Sequence, residues 1–141
     1  MEDITFFVDV IVPLGVPNKF TYRVPKEFND FIKIGKRTLV QFGKSKIYTG
    51  IIYAIHQSAP KDYTAKYIEA VLDDAPIVTE IELKFWDWIS SYYMAPIGDV
   101  MNAALPANFK LASETKIRLH PEFDTAIDLL QEREKTVVEA L

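Results

Sequence analysis

Hydrophobic and polar residues alternate along the first half of the chain, and apolar residues recur at helical spacing in the second. In residues 4–12 (ITFFVDVIV), Ile4, Phe6, Val8, Val10 and Val12 alternate with Thr5, Phe7, Asp9 and Ile11. That period of two predicts a strand with one fully buried face and a second, partly apolar one. "PLGVPN" at 13–18 is a turn by composition, and 19–24 is the returning strand. Phe28 and Phe31 lie three apart in "KEFNDFIK" and suggest one helical turn before Gly35-Lys36. "RTLVQF" (37–42) and "IYTGIIYAIH" (47–56) are β-rich runs separated by "GKSK", a hairpin signal. Gly50 within the second run predicts a bulge or a tight bend. A polar loop through 57–64 leads to a fifth strand at Lys66–Leu72.

Helix replaces strand after Pro76. Thr79 followed by Glu82 is a capping-box pair, and Glu80 and Glu82 suit a helix N-terminus. Ile81, Phe85, Trp88 or Ile89, and Tyr92 form an apolar stripe whose spacing predicts a packed face rather than a stacking platform. Pro96 can occupy the first turn of a second helix, Ile97–Ala104, which stops at Leu105-Pro106. From Ala107 the pattern changes. "NFKLASE" reads as linker, Thr115–Leu119 as a short strand, and "DTAIDLLQEREKTVVEAL" as helix that runs to the end without a cap, as in a chain continuing into another module. The predicted class is α+β: a small, strongly bent antiparallel β-sheet or barrel of about five strands, followed by two helices.

Composition narrows the chemistry. The 141 residues include no cysteine, which removes disulfides, thiolate metal sites and cysteine catalysis. The opening MEDITFFVDV lacks a basic segment, and the longest uncharged run, 47–60, is too short and polar to span a bilayer. A cytoplasmic protein without membrane contact is expected. The net charge of −4 conceals an asymmetry: residues 1–72 hold 10 Lys/Arg to 7 Asp/Glu, and 73–141 hold 6 to 13. Within 19–46 the ratio is 8 basic to 2 acidic. Local field outweighs total charge, so an anionic partner fits this stretch, as does an ordinary solvated strand surface rich in lysine.

"GKS" at 43–45 ends like a phosphate-binding P-loop, but position 38 is Thr38 rather than glycine, and strand rather than helix follows. The glycine turn with Lys44 and Lys46 can still offer N–H groups and charge to one phosphate. His56 and His120 are far apart and lack carboxylates at ligand spacing. No serine stands in a triad order. Two readings remain open from the residues: a basic β-rich half that binds single-stranded nucleic acid through aromatics and Lys/Arg, and a protein-interaction module.

The order of segments resembles the N-terminal region of the PriA family of primosomal replication-restart helicases (primosomal protein N′). The resemblance rests on "VIVPLGVP", "KFTYRVP", "GKRTLVQFGKSKIYTGII", "KYIEAVLDDAPIVT" and "WISSYYMAPIGDVMNAALP", and covers residues 4–106. It implies a 3′-DNA-binding domain at 1–106, a linker at 107–123, and the start of a winged-helix domain at 124–141, where "EREKTVVEAL" is similar to that domain's first helix. It further implies capture of the 3′ end of the nascent leading strand at stalled forks, within an ATP-dependent 3′→5′ DNA helicase. The ATP and zinc sites of such proteins lie later in the chain, so this stretch is expected to bind DNA without a cofactor and without hydrolysing ATP. Forked DNA with 3′-hydroxyl ends, primosome proteins and single-stranded-DNA-binding protein are the implied partners. The family pocket combines an F-D-Y strand, an F-G-K turn and a lysine before the fifth strand. Phe20 and Tyr22 match the aromatics, Gly43 and Lys44 the turn, and Lys66 the lysine. Thr21 stands where the family has aspartate, so a hydroxyl that donates or accepts replaces a carboxylate at the terminal base.

Overall fold

The computed structural model describes residues 4–110. Five strands, β1 (Phe7–Ile11), β2 (Phe20–Arg23), β3 (Arg37–Phe42), β4 (Lys46–His56) and β5 (Ile68–Val71), precede helices α1 (Glu80–Tyr93) and α2 (Ile97–Ala104). The strands form one sheet in the order β2-β1-β4-β3-β5, with every neighbouring pair antiparallel. The sheet is bent until its edges meet: Arg23 on β2 bridges Tyr67 in parallel fashion, and the Arg23 N–H donates to the Lys66 carbonyl at 2.8 Å. This explains why β5 begins at Ile68 rather than Lys66. The backbone ahead of it turns to β2 instead of β3. The expected bent five-stranded sheet followed by two helices is what the chain forms. The strand and helix expected at 115–119 and 124–141 lie outside the described residues, as does the 107–123 linker beyond Lys110. Ala107–Phe109 forms a 3-10 turn.

Register shifts in the β1–β4 and β3–β5 pairs interrupt the sheet where it curls. The register of β1 against β4 shifts between Asp9 and Val10, where Ala54 and Ile52 are the facing partners and Tyr53 is the extra residue. Gly50 is not at that bulge. A Cβ there would lie 2.3 Å from Val10 Cγ1 and 2.8 Å from the Ile11 carbonyl, so its role is close approach of β1 and β4.

Curling makes two cores. Inside it, Val8, Val10, Tyr22, Val40, Ile52 and Ile68 pack together; outside it, Ile11 and Ile51 meet Leu83 and Trp86 of α1 and Val100 and Met101 of α2. The partly apolar second face of β1 is therefore a second core surface. At the sheet's other end, Arg37 clasps Asp73, with Nη2 2.6 Å from Oδ1 and its N–H donating to Oδ2 at 2.8 Å. Burial alone would push the Asp73 carboxyl up, but these bonds prevail and hold it below its ordinary range.

α1 starts as expected: the Thr79 hydroxyl accepts from the Glu82 N–H and the Glu82 carboxylate accepts from the Thr79 N–H. Its buried face, however, matches the expected stripe only at Ile89, which packs against the outer core. Ile81, Phe85, Trp88 and Tyr92 are exposed, while Leu83 and Trp86 are buried. The helix carries two apolar stripes of similar spacing, and periodicity cannot rank them. Beside the buried Trp86, Asp87 takes Lys19 Nζ at 2.9 Å and accepts from the Tyr53 hydroxyl. The outer residues instead stack on one another, Phe85 on Trp88 at 5.9 Å and Trp88 on Tyr92 at 5.0 Å between ring centroids.

Candidate nucleic-acid interface

Where β2 and the segment before β5 diverge, the curl opens into a cavity of about 240 Å³. Alternation on β2 turns Phe20 and Tyr22 toward the interior. Tyr22 is buried, and its hydroxyl donates to the Gln41 carbonyl at 3.0 Å, tying β2 to the end of β3. Burial, with a smaller contribution from Tyr63, pushes this phenol up to about 12. Phe20 meets Phe42 edge to face at 4.9 Å, forming an apolar wall. Gly43 has φ +73°, the left-handed region that favours glycine. A Cβ there would meet nothing within 4 Å, so the backbone sign and not crowding demands glycine. Lys66 Nζ donates to the Gly43 carbonyl at 2.8 Å. A cation and a backbone acceptor thus sit together on the rim.

Phe20, Thr21, Tyr22, Gly43 and Lys66 all line this cavity. They come from three separate stretches of chain. Lys44 does not line it; its carbonyl accepts from Gln41 Nε2 at 2.7 Å, which braces the β3–β4 turn. The Thr21 hydroxyl is not offered to the cavity. It donates to Asp9 Oδ1 at 2.6 Å across the β1–β2 pair, and the same oxygen lies 3.1 Å from His56 Nε2. What Thr21 contributes is backbone: its N–H donates to the Tyr63 hydroxyl at 2.8 Å.

Sequence reasoning missed Tyr63, Gln41 and Asp9. Tyr63 lies in a polar loop with no periodic signal, and Gln41 enters through the strand end. The Asp9–Thr21 pairing depends on strand register, which alternation alone leaves open. Among the described residues no cluster of three His, Asp or Glu side chains could hold a metal ion.

A curled sheet with a cavity of about 240 Å³, walled by aromatics and rimmed by lysine, has the makings of a nucleic-acid-binding module. Residues 9–106 match the family model of the PriA 3′DNA-binding domain (3′BD), and the chain belongs to that family. It is 35% identical over 107 residues to the replication restart protein PriA of Haemophilus influenzae, covering 73% of this chain and 14% of that protein. To PriA of Bacillus subtilis it is 29% identical over 117 residues, covering 80% of this chain and 14% of that protein. To PriA of Buchnera aphidicola from Acyrthosiphon pisum it is 33% identical over 102 residues, 70% of this chain. The chain therefore spans 13–14% of the length of the curated relatives it matches.

Proposed function

We propose that this chain captures the 3′ end of the nascent leading strand at stalled or abandoned replication forks, as the end-sensing part of an ATP-dependent 3′→5′ helicase that restarts replication. The observation that carries the reading is the convergence of Phe20, Gly43 and Lys66, far apart in sequence, on one cavity of about 240 Å³. That is below the ~300–1,000 Å³ of drug-sized ligand sites and suits a single nucleoside. Phe20 walls the terminal base. Gly43 lets its carbonyl approach the terminal hydroxyl, and Lys66 neutralises the last phosphate. With its hydroxyl engaged by Asp9, Thr21 offers the base edge its N–H, in place of the Tyr63 hydroxyl that holds it now.

Fluorescence anisotropy with two oligonucleotides that differ only at the terminus tests the reading. A free 3′-hydroxyl should bind more tightly than a 3′-phosphate, and Lys66→Ala should weaken the hydroxyl-ended strand about tenfold, as expected for a lost charge-assisted contact. Binding should also weaken as salt rises. Equal affinities for the two termini would remove the end-sensing claim.

One observation favours a second reading, a protein-docking module for primosome proteins or single-stranded-DNA-binding protein: the exposed aromatic stack of α1. Lys66→Ala separates the two, because it should impair 3′-end binding and leave protein docking intact.

A further inference from the structure

Outside the cavity, on the outer face of the curl, Arg23 is held by rings and by almost nothing else. Its guanidinium carbon lies 5.5 Å from the centroid of Phe7 and 5.7 Å from that of Tyr67. Among the described residues its side chain makes one hydrogen bond, a long 3.5 Å reach from Nη1 to the Tyr67 hydroxyl. Its Nε is buried without an acceptor. Among the described residues no carboxylate pairs with it, and the nearby acid on β1, Asp9, is engaged by Thr21 and His56. A guanidinium carries five donors; here only Nε is buried without an acceptor, and the terminal nitrogens of this half-buried side chain can reach an anionic oxygen. Tyr67 beside it is half-exposed, at 53%, with the guanidinium over its ring. Phe7 is buried at 4% and backed by His56, stacked at 6.2 Å. It anchors the arginine but cannot itself be reached.

The position of this pair gives it meaning. Arg23 and Tyr67 form the bridge that closes the curl, and Lys66 on the cavity rim is the residue before Tyr67. Thr21, whose backbone N–H borders the cavity, and Arg23 are two residues apart on β2, about 7 Å by strand geometry, on the order of one phosphate-to-phosphate step along an extended strand. We propose that Arg23 and Tyr67 form a second subsite for single-stranded DNA, which takes the nucleotides on the 5′ side of the terminal one. Arg23 holds an internal phosphodiester, and Tyr67 stacks on the adjoining base. Cation and ring side by side are the elements with which proteins follow single strands irrespective of sequence. The inference rests on the end-sensing reading for its polarity, with the strand leaving the cavity over Lys66, but the phosphate and stacking contacts stand on Arg23 and Tyr67 themselves.

The test uses the 141-residue chain and thymidine oligonucleotides that share a free 3′-hydroxyl end but differ in length. Wild type should bind a hexanucleotide about tenfold or more tightly than a dinucleotide, on the scale of one stacked base and one phosphate contact. Arg23→Gln should abolish most of that gain and lower the salt slope by about one. Tyr67→Leu should remove part of the gain and leave the slope unchanged. Arg23→Lys keeps the charge and should keep the slope, and circular dichroism on each variant checks folding. In all three, the preference of the dinucleotide for a 3′-hydroxyl over a 3′-phosphate should persist. Variants whose length dependence matches wild type would overturn the inference. If wild type showed no preference between termini while Arg23→Gln still lost the length gain, the end-sensing reading would fall and the phosphodiester subsite would stand.

Discussion

The mouth of the curled sheet and the outer face of α1 are both rich in aromatic residues, yet they are built on opposite plans. At the mouth, Phe20, Tyr22 and Phe42 pack against the inner core and leave a cavity between themselves, a glycine turn and a lysine. On α1, Phe85, Trp88 and Tyr92 stack on each other along the helix with more than half of each side chain in solvent. The first arrangement encloses a small cavity with a lysine on its rim; the second offers a broad apolar surface. The difference shows that aromatic content alone does not identify a binding site. What matters is whether the rings converge with a cation and backbone polar groups, as at the mouth, or only with each other.

The sharpest way to break the comparison is to ask which tryptophan belongs to the core. Trp86→Ala should cost about 3–5 kcal/mol of stability, the range for a buried tryptophan, whereas Trp88→Ala should cost about 1 kcal/mol or less, the worth of an exposed stacked ring. Urea denaturation of the two variants measures both, and the reverse order would return the outer stripe to the core. Next in size is a binding effect. Phe20→Ala should weaken binding of a free 3′ end by about 1–3 kcal/mol, the range for one base–aromatic contact. Trp88→Ala should leave that affinity within about twofold, since distant sites act independently. Equal losses in anisotropy titrations of the two folded variants would erase the division of labour.

Much of the scaffold could be read from the chain by pattern. Alternation located all five strands, with β3 at 37–42 as expected, and the Thr79/Glu82 spacing marked the start of α1. The pairings that shape the site could not be read in this way. Arg37 finds Asp73 36 positions away, and Thr21 finds Asp9 12 positions away, through registers that no local period encodes. The buried face of α1 escaped for another reason: two apolar stripes compete on one helix, and only the packing of Leu83 and Trp86 against Ile11, Ile51 and α2 separates them. The glycine turn at Gly43 stood out in the residues, but its convergence with Phe20 and Lys66 was legible only through a family resemblance, because the cavity is assembled by the curl of the sheet. Tyr63 had neither signal.

Asp87 joins the two regions, which makes it the place to measure their coupling. Lys19, its ion-pair partner, precedes Phe20 at the mouth and lies over the Tyr53 ring at 3.8 Å. The Tyr53 phenol is pushed up to about 12, first by its hydrogen bond to Asp87, then by burial and by the charges of Asp87 and Asp9. A phenol whose pKa is raised on folding stabilises the fold fully below its ordinary pKa of about 10 and loses that contribution as pH climbs through about 12. Asp87→Asn should therefore bring Tyr53 ionisation back toward 10, seen in the ultraviolet absorbance of phenolate, while buried Tyr22 keeps titrating near 12. The variant should lose about 1 kcal/mol of stability at neutral pH, the worth of a typical hydrogen bond, and the gap to wild type should narrow as pH passes from 10 to 12. Because Lys19 stands outside the cavity, 3′-end affinity should shift by about twofold at most. A loss as large as that of Phe20→Ala would mean that the mouth and the helix face work as one site.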